Sequence, residues 1–330
     1  MTESDILATP LSIGPVTVRN RVFLAPMSGV TDEPVRQRAY EHGAGLVVAE
    51  MVASGELIKG DTSTHRRLRH SGLPVHMIQL AGREAGAMAE AARVAAGEGA
   101  DVIDINMGCP AKKVTGGYCG SALMRDLDHA VALIDAVIKA VKVPVTVKMR
   151  LGWDHDTLNA ADLAIRAQDA GVSMITVHGR TRCQFYKGNA DWSAVARVTA
   201  AVSVPVVVNG DISNRDDAAT ALSLSGADAI MLGRAHYGQP WISGSVALNE
   251  NKRPEDLSAY ILAHYHDMLS LYGRESGVRQ ARKHLGWYLE RHAPFASTGQ
   301  RAEIMTSLEP ETVIRALREV FAPCNLDVAA

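Results

Sequence analysis

The chain has 330 residues, 47% of them hydrophobic, and a formal net charge of −2 at pH 7. This length suits one barrel-sized domain and a smaller one, and the near-neutral charge excludes a general attraction to nucleic acids or membranes. The start is polar, without a signal-peptide pattern, and no apolar stretch is long enough to span a bilayer. No Cys-x-x-Cys pair occurs among Cys109, Cys119, Cys183 and Cys324, so we expect free thiols, no metal and a cytoplasmic protein.

Short β-rich runs alternate with longer, alanine-rich amphipathic runs through the first three quarters of the chain. The two clearest helices are predicted at 85–98 and 129–140. The predicted strands are 22–25, 46–49, 75–79, 102–106, 145–149, 174–178, 204–208 and 227–232. Such a succession of strand and helix predicts an α/β fold, the (β/α)8 TIM barrel. A doubly wound open sheet is the alternative, although no Gly-x-Gly-x-x-Gly follows the first strand.

The pattern changes after about residue 250, near a polar linker at 249–254. Residues 254–321 show several amphipathic helices and no strand signal. We therefore predict a barrel domain at 1–248 and a small all-α domain at 249–330.

The pentapeptide Asn106-Met107-Gly108-Cys109-Pro110 follows the apolar strand at 102–106. A cysteine between a glycine and a proline at a strand's exit can be both rigid and exposed. In such a barrel the active site lies at the carboxyl ends of the strands. Reading only those positions collects most chemically capable groups, whereas the strand interiors are mostly Val, Ile and Ala. This asymmetry favours an enzyme.

The last two predicted strands are followed by Asn209-Gly210-Asp211 and by Gly233-Arg234. These loops are the usual phosphate site of a barrel, and Arg234 could add a charge-assisted pair. The alternative is that the glycines serve tight turns while Arg234 lies on a solvated rim.

Three further strand-end residues are each ambiguous alone. Lys148 could stabilise an anionic reduced cofactor or extend along the rim. His178, close to Arg180, is catalytic or structural, and Gln79 can bond a heterocycle edge or cap its strand. Their position on one face of the barrel favours a shared site.

Five segments together resemble the tRNA-dihydrouridine synthases, and the likeness covers nearly the whole chain. They are Leu24-Ala25-Pro26-Met27-Ser28-Gly29-Val30-Thr31-Asp32, Asp104-Ile105-Asn106-Met107-Gly108-Cys109-Pro110, Val147-Lys148-Met149-Arg150-Leu151-Gly152-Trp153, His178-Gly179-Arg180-Thr181-Arg182 and Asn209-Gly210-Asp211-Ile212. Residues 116–123 and 282–288 resemble the bacterial B-type branch in particular.

The resemblance implies an FMN-bearing barrel, a helical domain that helps to hold tRNA, and NADPH or NADH as reductant. It implies Cys109 as the proton donor, with substrate contacts from Asn106 and Arg180. The implied FMN contacts are Pro26, Met27, Ser28, Gln79, Lys148, His178, Asn209, Gly210, Asp211, Gly233 and Arg234. Cys119 stands where the family often has a small residue, and we expect it to be buried.

Uracil chemistry suits these groups, because the C5=C6 bond is conjugated to the C4 carbonyl. Hydride from reduced FMN would add at C6, and Cys109 would protonate C5. Thiols are mostly protonated at neutral pH, so such an acid needs no special tuning. The base must leave its stack, which favours tRNA loops as substrates.

The helical region carries Arg279, Arg282 and Lys283 at helical spacing, which predicts one basic face for phosphate contacts. A second basic cluster lies at 65–70. Both clusters could instead be solvated charged faces; the resemblance favours RNA contact. Trp287 and Tyr288 could stack on bases, but their helical spacing is typical of core residues.

Two other functions remain open on the residues alone. The first is a flavin barrel oxidoreductase acting on a free pyrimidine or enone, which has no need of a basic helical domain. The second is a barrel-derived RNA-binding protein without chemistry, against which Cys109 and Lys148 argue. The sequence leaves open the uridine position, the choice between NADPH and NADH, and the role of Cys119. We expect a monomer with a tRNA partner.

Overall fold

The computed structural model describes residues 6–322, so Cys324 lies outside the described range. The strands are β1 (Leu11–Ile13), β2 (Val16–Val18), β3 (Val22–Leu24), β4 (Leu46–Val47), β5 (Val52–Ala53), β6 (Met77–Ala81), β7 (Val102–Met107), β8 (Val145–Arg150), β9 (Met174–His178), β10 (Val206–Asn209) and β11 (Ala229–Leu232). The α-helices are α1 (Glu33–Glu41), α2 (Ser54–Leu57), α3 (Thr62–Leu68), α4 (Ala85–Gly97), α5 (Lys112–Thr115), α6 (Leu127–Ala140), α7 (Ala160–Ala170), α8 (Ala196–Thr199), α9 (Arg215–Ser225), α10 (Ile242–Leu248), α11 (Leu257–Tyr272), α12 (Arg274–His292), α13 (Thr298–Thr306) and α14 (Pro310–Phe321).

The larger sheet is a closed parallel barrel. Its nine strands follow the order β4-β3-β11-β10-β9-β8-β7-β6-β5. β4 and β5 belong to one stretch of chain, and Val48 between them forms a parallel bridge with Met77 of β6. Because this stretch joins β3 on one side to β6 on the other, the sheet closes on itself. Taken as one strand position, the stretch completes eight, and the predicted (β/α)8 barrel is confirmed.

Three predicted strands begin two residues too early in the sequence. The strand predicted at 227–232 is observed at Ala229–Leu232, and side-chain hydrogen bonds account for the other two. The strand predicted at 75–79 is observed at Met77–Ala81, because the His76 amide donates to the Asp101 carboxylate at 2.7 Å. The strand predicted at 204–208 begins at Val206, whose own amide donates to the Asp228 carboxylate at 2.9 Å. In both places a side chain accepts the backbone N–H that sequence periodicity assigns to the start of the strand.

The antiparallel hairpin β1–β2 has no counterpart among the predicted strands. Leu11 pairs with Val18, and Ile13 pairs with Val16. Ile13 is fully buried and packs in one cluster with the barrel's interior residues, including Met77 and Met174. The hairpin therefore covers the amino-terminal end of the barrel with apolar side chains.

The barrel helices begin and end where the sequence offers caps. Asp126 accepts from the His129 amide at 3.0 Å at the start of α6, which is observed two residues earlier than predicted. Gly171 ends α7 with φ of 108°, a left-handed conformation that favours glycine. None of the helices in the described range combines the length and the apolar character needed to cross a membrane.

The chain divides into two compact units. Described residues 6–234 and 243–250 form the barrel unit, and 235–242 and 251–322 form the second unit. As predicted, the described part of the second unit contains helices and no strand. Its core includes Tyr265, Leu285 and Phe321, each at most 2% exposed. Ser297 and Gln300 form a reciprocal capping box at the start of α13.

Candidate active site

The barrel interior changes from apolar to polar towards the carboxyl ends of the strands. Register pairs Gln79 of β6 with Asp104 of β7, and Asp104 with Thr146 of β8. Because successive side chains of a strand alternate in direction, Asn106 lies next to Lys148 one layer higher. Each of these five side chains is at most 9% exposed. The strand ends thus hold buried polar groups of the kind that bind a ligand.

The loop after β7 holds Cys109 rigidly at the carboxyl end of the barrel. The Asn106 Oδ1 accepts from the amides of Gly108 at 3.2 Å and of Cys109 at 3.0 Å. The Cys109 carbonyl accepts from the Ser121 hydroxyl at 2.9 Å. Gly120 packs so tightly here that a Cβ would lie 2.8 Å from the same carbonyl oxygen. Cys109 itself is partly exposed and is a free thiol.

Two cations from β8 flank this loop. The Lys148 Nζ donates to the Asn209 Oδ1 at 2.8 Å, and burial together with the neighbouring Arg150 lowers the pKa of Lys148 to about 8. The Arg150 Nε donates to the Gly108 carbonyl at 2.8 Å, and burial lowers the Arg150 pKa to about 10. Both cations also interact electrostatically with Cys109. A thiol, a lysine and an arginine therefore share one corner of the barrel.

His178 is neutral at physiological pH in this setting. Burial lowers its pKa well below the usual value, and the charges of Lys148 and Arg150 lower it further. Arg180, which can only donate, approaches the His178 Nε2 at 3.4 Å, so we assign the ring proton to Nδ1. Gly210 has φ of 118°, and a Cβ there would lie 2.8 Å from the imidazole. The glycine after β10 is thus required by close contact with this histidine.

Asp211 joins the loops after β9, β10 and β11. It accepts from the Arg180 Nη1 at 3.0 Å, from the Arg234 Nη2 at 3.0 Å and from the Ala190 amide at 2.8 Å. Although burial opposes its ionisation, the hydrogen bond from Arg180 and these other contacts lower its pKa. Arg180 also donates to the backbone carbonyls of 187 and 188 and is 1% exposed, which indicates a structural role in this loop. The Arg234 side chain is 51% exposed and remains accessible to an anion.

The remaining predicted contacts lie at the ends of β3 and β11. Pro26, Met27 and Ser28 follow β3, and the Met27 amide donates to the Thr31 hydroxyl at 2.9 Å. A Cβ on Gly233 would lie 3.7 Å from the Met27 sulphur, so these two loops are adjacent. The structure thus places the predicted barrel contacts other than Gln79 at one end of the barrel. Gln79, the exception in position, lies mid-strand with its amide inside.

Sequence reasoning missed an aromatic side chain at the same end. Tyr186 is 47% exposed, and its ring centroid lies 5.6 Å from the Arg150 Cζ and 5.2 Å from the Arg234 Cζ. Its neighbour Phe185 has φ of 56°, a left-handed conformation that is unusual for a bulky residue. The signal was the aromatic pair in an otherwise polar loop after β9. Arg150 belongs to the segment at 147–153, and the sequence predicts no separate role for it.

Cys119 lies after α5, in the same connection between β7 and α6 that contains Cys109. It is partly buried, and its thiol donates to the Gly117 carbonyl at 3.4 Å. Burial raises the Cys119 pKa, which disfavours the thiolate. Cys119 was expected to be buried, whereas the structure leaves it only half-buried. Its hydrogen bond and raised pKa disfavour a second reactive thiol.

The helical unit carries the three predicted basic residues on α12. Arg279 is exposed, and the Lys283 Nζ donates to the Gln280 side chain at 2.9 Å. Arg282 donates to the carbonyls of 306 and 307, where α13 ends, at 2.9 and 3.3 Å, so part of its charge is used within the unit. Tyr288 is 1% exposed, and Trp287 stacks on Tyr237 with ring centroids 3.8 Å apart. Both aromatics pack inside the unit, as their spacing predicts.

Comparison with known proteins assigns the family. The model of the family described as dihydrouridine synthase matches residues 23–321. A probable tRNA-dihydrouridine synthase of Rhizobium leguminosarum bv. phaseoli is 56% identical over 94% of this chain and 98% of its own length. A tRNA-dihydrouridine synthase B of Xanthomonas campestris pv. campestris is 44% identical, over 94% of this chain and 96% of its own.

The fold is also similar to that of more distant solved structures. Histamine dehydrogenase from Rhizobium sp. 4-9 matches with a TM-score of 0.59 and 15% identity, over 80% of this chain and 51% of that one. At this identity the likeness concerns the fold alone. It agrees with the barrel described above.

Proposed function

Since this chain belongs to the dihydrouridine synthase family, we propose that it reduces the C5=C6 bond of specific tRNA uridines to give 5,6-dihydrouridine. The observation that carries the proposal is the position of Cys109. Its loop is fixed by Asn106, and the buried cations Lys148 and Arg150 lie beside it. A fixed, partly exposed thiol next to buried positive charge can protonate a carbon at which negative charge develops.

The residues at this end of the barrel fit an FMN cofactor. Arg234 and the glycine loops after β10 and β11 suit its phosphate. Lys148 suits the anionic reduced ring, and neutral His178 can donate through Nδ1. Gln79 and Asn209 lie buried in the same cluster. When bound and reduced by NADPH or NADH, FMN supplies the hydride that uracil C6 receives.

The protein's own part in the reaction is proton delivery and orientation. The Cys109 Sγ–H bond breaks as its proton joins C5, and the nearby cations stabilise the thiolate that remains. Tyr186, exposed between Arg150 and Arg234, offers a ring on which an unstacked base can lie. Orientation by such a platform matters because a misplaced base cannot reach both reacting atoms.

We propose that basic side chains, Arg279 and Lys283 in particular, contact the phosphates of the RNA backbone. Both extend from α12, and Arg282 supports the same face by closing the end of α13. Phosphate contacts of this kind position a nucleic acid without reading its sequence. We retain a monomer with tRNA as its macromolecular partner.

The test is an anaerobic absorption experiment on the purified protein. We expect flavin bands that bleach on addition of NADPH and return on addition of unmodified tRNA. Bands that bleach but ignore tRNA, and return instead with a free pyrimidine or enone, would indicate a small-molecule oxidoreductase. A protein that binds no flavin even after FMN is added would overturn the enzymatic proposal.

A further inference from the structure

A continuous chain of buried hydrogen bonds connects the middle of the barrel to Cys109. The Thr146 hydroxyl donates to Asp104 Oδ1 at 2.5 Å, and Gln79 Nε2 donates to Asp104 Oδ2 at 2.7 Å. Asn106 Nδ2 donates to Gln79 Oε1 at 2.7 Å. The Asn106 Oδ1 then accepts the amide of Cys109 at 3.0 Å. We call the three side chains Asp104, Gln79 and Asn106 the amide relay.

The donor and acceptor in every hydrogen bond of the amide relay are determined by the Cys109 amide at one end. The Cys109 backbone amide can only donate, so Asn106 must present its oxygen to it. The Asn106 nitrogen then faces Gln79, which must offer its own oxygen. The Gln79 nitrogen is consequently directed at residue 104, where only an acceptor completes the relay. Turning either amide over would place two donors or two acceptors against each other.

Burial makes this pattern costly to break. Asp104, Gln79 and Asn106 are 2%, 1% and 7% exposed, so water has little access to replace a lost partner. A buried polar group without a partner is strongly disfavoured, and the amides would rotate to find another. The orientation of Asn106, and with it the position of the Cys109 backbone, therefore depends on what residue 104 can accept.

We propose that Asp104 is a positioning residue: by accepting from Gln79, it sets the orientation of both amides and so holds Cys109 in place. This inference rests on the proposed function, in which Cys109 is the proton donor. Asp104 itself lies two residues before Asn106 on β7 and acts through the relay, without a hydrogen bond to the Cys109 loop.

The first experiment measures the reactivity of the Cys109 thiol in the flavin-loaded protein. Wild type, Asp104→Ala and Asp104→Asn are treated with iodoacetamide, and each alkylated cysteine is quantified by mass spectrometry. Lys112 and Lys113 lie between Cys109 and Cys119, so trypsin separates the two. The exposed thiol of Cys183 is the internal control.

We expect Asp104→Ala to raise the alkylation rate of Cys109 about threefold or more, because its loop opens more often, while Cys183 keeps the wild-type rate. Asp104→Asn can turn its amide oxygen to Gln79 and its nitrogen to the Thr146 hydroxyl, so it should stay close to wild type. An Asn variant as reactive as the Ala variant would show that charge, rather than the accepted hydrogen bond, matters, and would overturn the proposal.

The second experiment separates the two half-reactions of the same proteins. In Asp104→Ala, reoxidation by tRNA should slow about tenfold or more, since small misplacements of a reacting group cost rates of this order. Flavin reduction by NADPH, which does not use Cys109, should change far less. Equal losses in both half-reactions would indicate a collapsed flavin site and would contradict a positioning role.

Thr146→Val provides the matched control within the same network. It removes the donor on the far side of Asp104 but leaves the bond from Gln79 intact. We expect alkylation and reoxidation near the wild-type rates, and losses equal to those of Asp104→Ala would contradict the relay. A wild-type protein that reduces no tRNA uridine would refute the proposed function, whereas an active wild type with an unaffected Asp104→Ala would refute only this inference.

Discussion

At the scale of single residues, the surroundings of Cys109 favour an acid over a nucleophile. Among the described residues no base accepts a hydrogen bond from its thiol, and its backbone is held from both sides by Asn106 and Ser121. A nucleophilic cysteine is usually activated by an adjacent base that takes its proton before it reacts. A proton donor needs chiefly the correct position, which the loop provides.

Replacement of the thiol should therefore separate the two half-reactions. We expect Cys109→Ala to bind flavin and oxidise NADPH at rates close to wild type, but to lose about 100-fold or more in uridine reduction, the scale of general acid catalysis. Dihydrouridine in treated tRNA is the measurement. Cys183→Ala, which removes an exposed thiol from a loop, is the control and should remain active. Normal dihydrouridine formation by Cys109→Ala would assign the proton to another donor.

Asp104 gives the protein a pH-dependent stability of predictable sign. Burial raises its pKa from 3.8 to about 6, so the folded state disfavours the charged carboxylate. A raised carboxyl pKa contributes stability at low pH that is lost as the pH rises through the folded value. From pH 5 to pH 7, wild type should lose about 1 kcal/mol of unfolding free energy relative to Asp104→Asn. Urea unfolding of both proteins at matched flavin content measures this; a constant difference would contradict it.

At the scale of elements, sequence patterns predicted those strands whose apolar runs are continuous. β9 was predicted with its observed bounds, and β7 and β8 each extend one residue further. The predicted starts of β6 and β10 were wrong because carboxylates distant in sequence accept the amides of His76 and Val206. The rule that barrel sites lie at carboxyl ends located Cys109 and Lys148, but it could not show that Tyr186 lies between two arginines. Such contacts depend on loop conformation, which hydrophobic periodicity and secondary-structure propensity do not predict.

The role of the basic face of α12 in RNA binding can be tested against another arginine on the same helix. Arg279→Ala with Lys283→Ala should weaken tRNA binding and reduce the slope of log affinity against log salt by about 1 to 2, since two phosphate contacts are lost. Arg274, on the same helix, pairs with Glu309 at 2.7 Å and with Glu311 at 2.9 Å. Arg274→Ala should therefore change affinity little. Filter binding at several salt concentrations measures the tRNA affinity of wild type, the double variant and Arg274→Ala. Equal losses of affinity in the two variants would contradict a special role for this face.

At the scale of the whole molecule, the hairpin β1–β2 completes the barrel core. Its strands have three residues each, too short for a periodic signal, and they flank a Gly-Pro pair that reads as a loop. Only the assembled barrel shows that these residues close an otherwise exposed apolar interior. The sequence therefore predicted the fold class and the end that bears the candidate site, but it did not predict how the opposite end is sealed.

Truncation of one hairpin residue should test this seal. Ile13 is fully buried in the barrel cluster, so Ile13→Ala should lower the free energy of unfolding by about 2 to 5 kcal/mol. Thr17 lies exposed on the neighbouring strand, and Thr17→Ala should change stability by less than about 0.5 kcal/mol. Urea unfolding followed by circular dichroism compares the two. Equal midpoints for both variants would mean that the hairpin contributes nothing to the core.

A barrel closed at one end has a single entrance, and this limits the order in which the reactants can bind. A flavin at the proposed site would be reached by the nicotinamide and by the RNA through the same opening, so the two must take turns. Steady-state rates measured against both reactants should then follow a ping-pong scheme, with parallel lines in double-reciprocal plots. Each product must depart before the next reactant arrives, and excess nucleotide should compete with tRNA for the reduced enzyme.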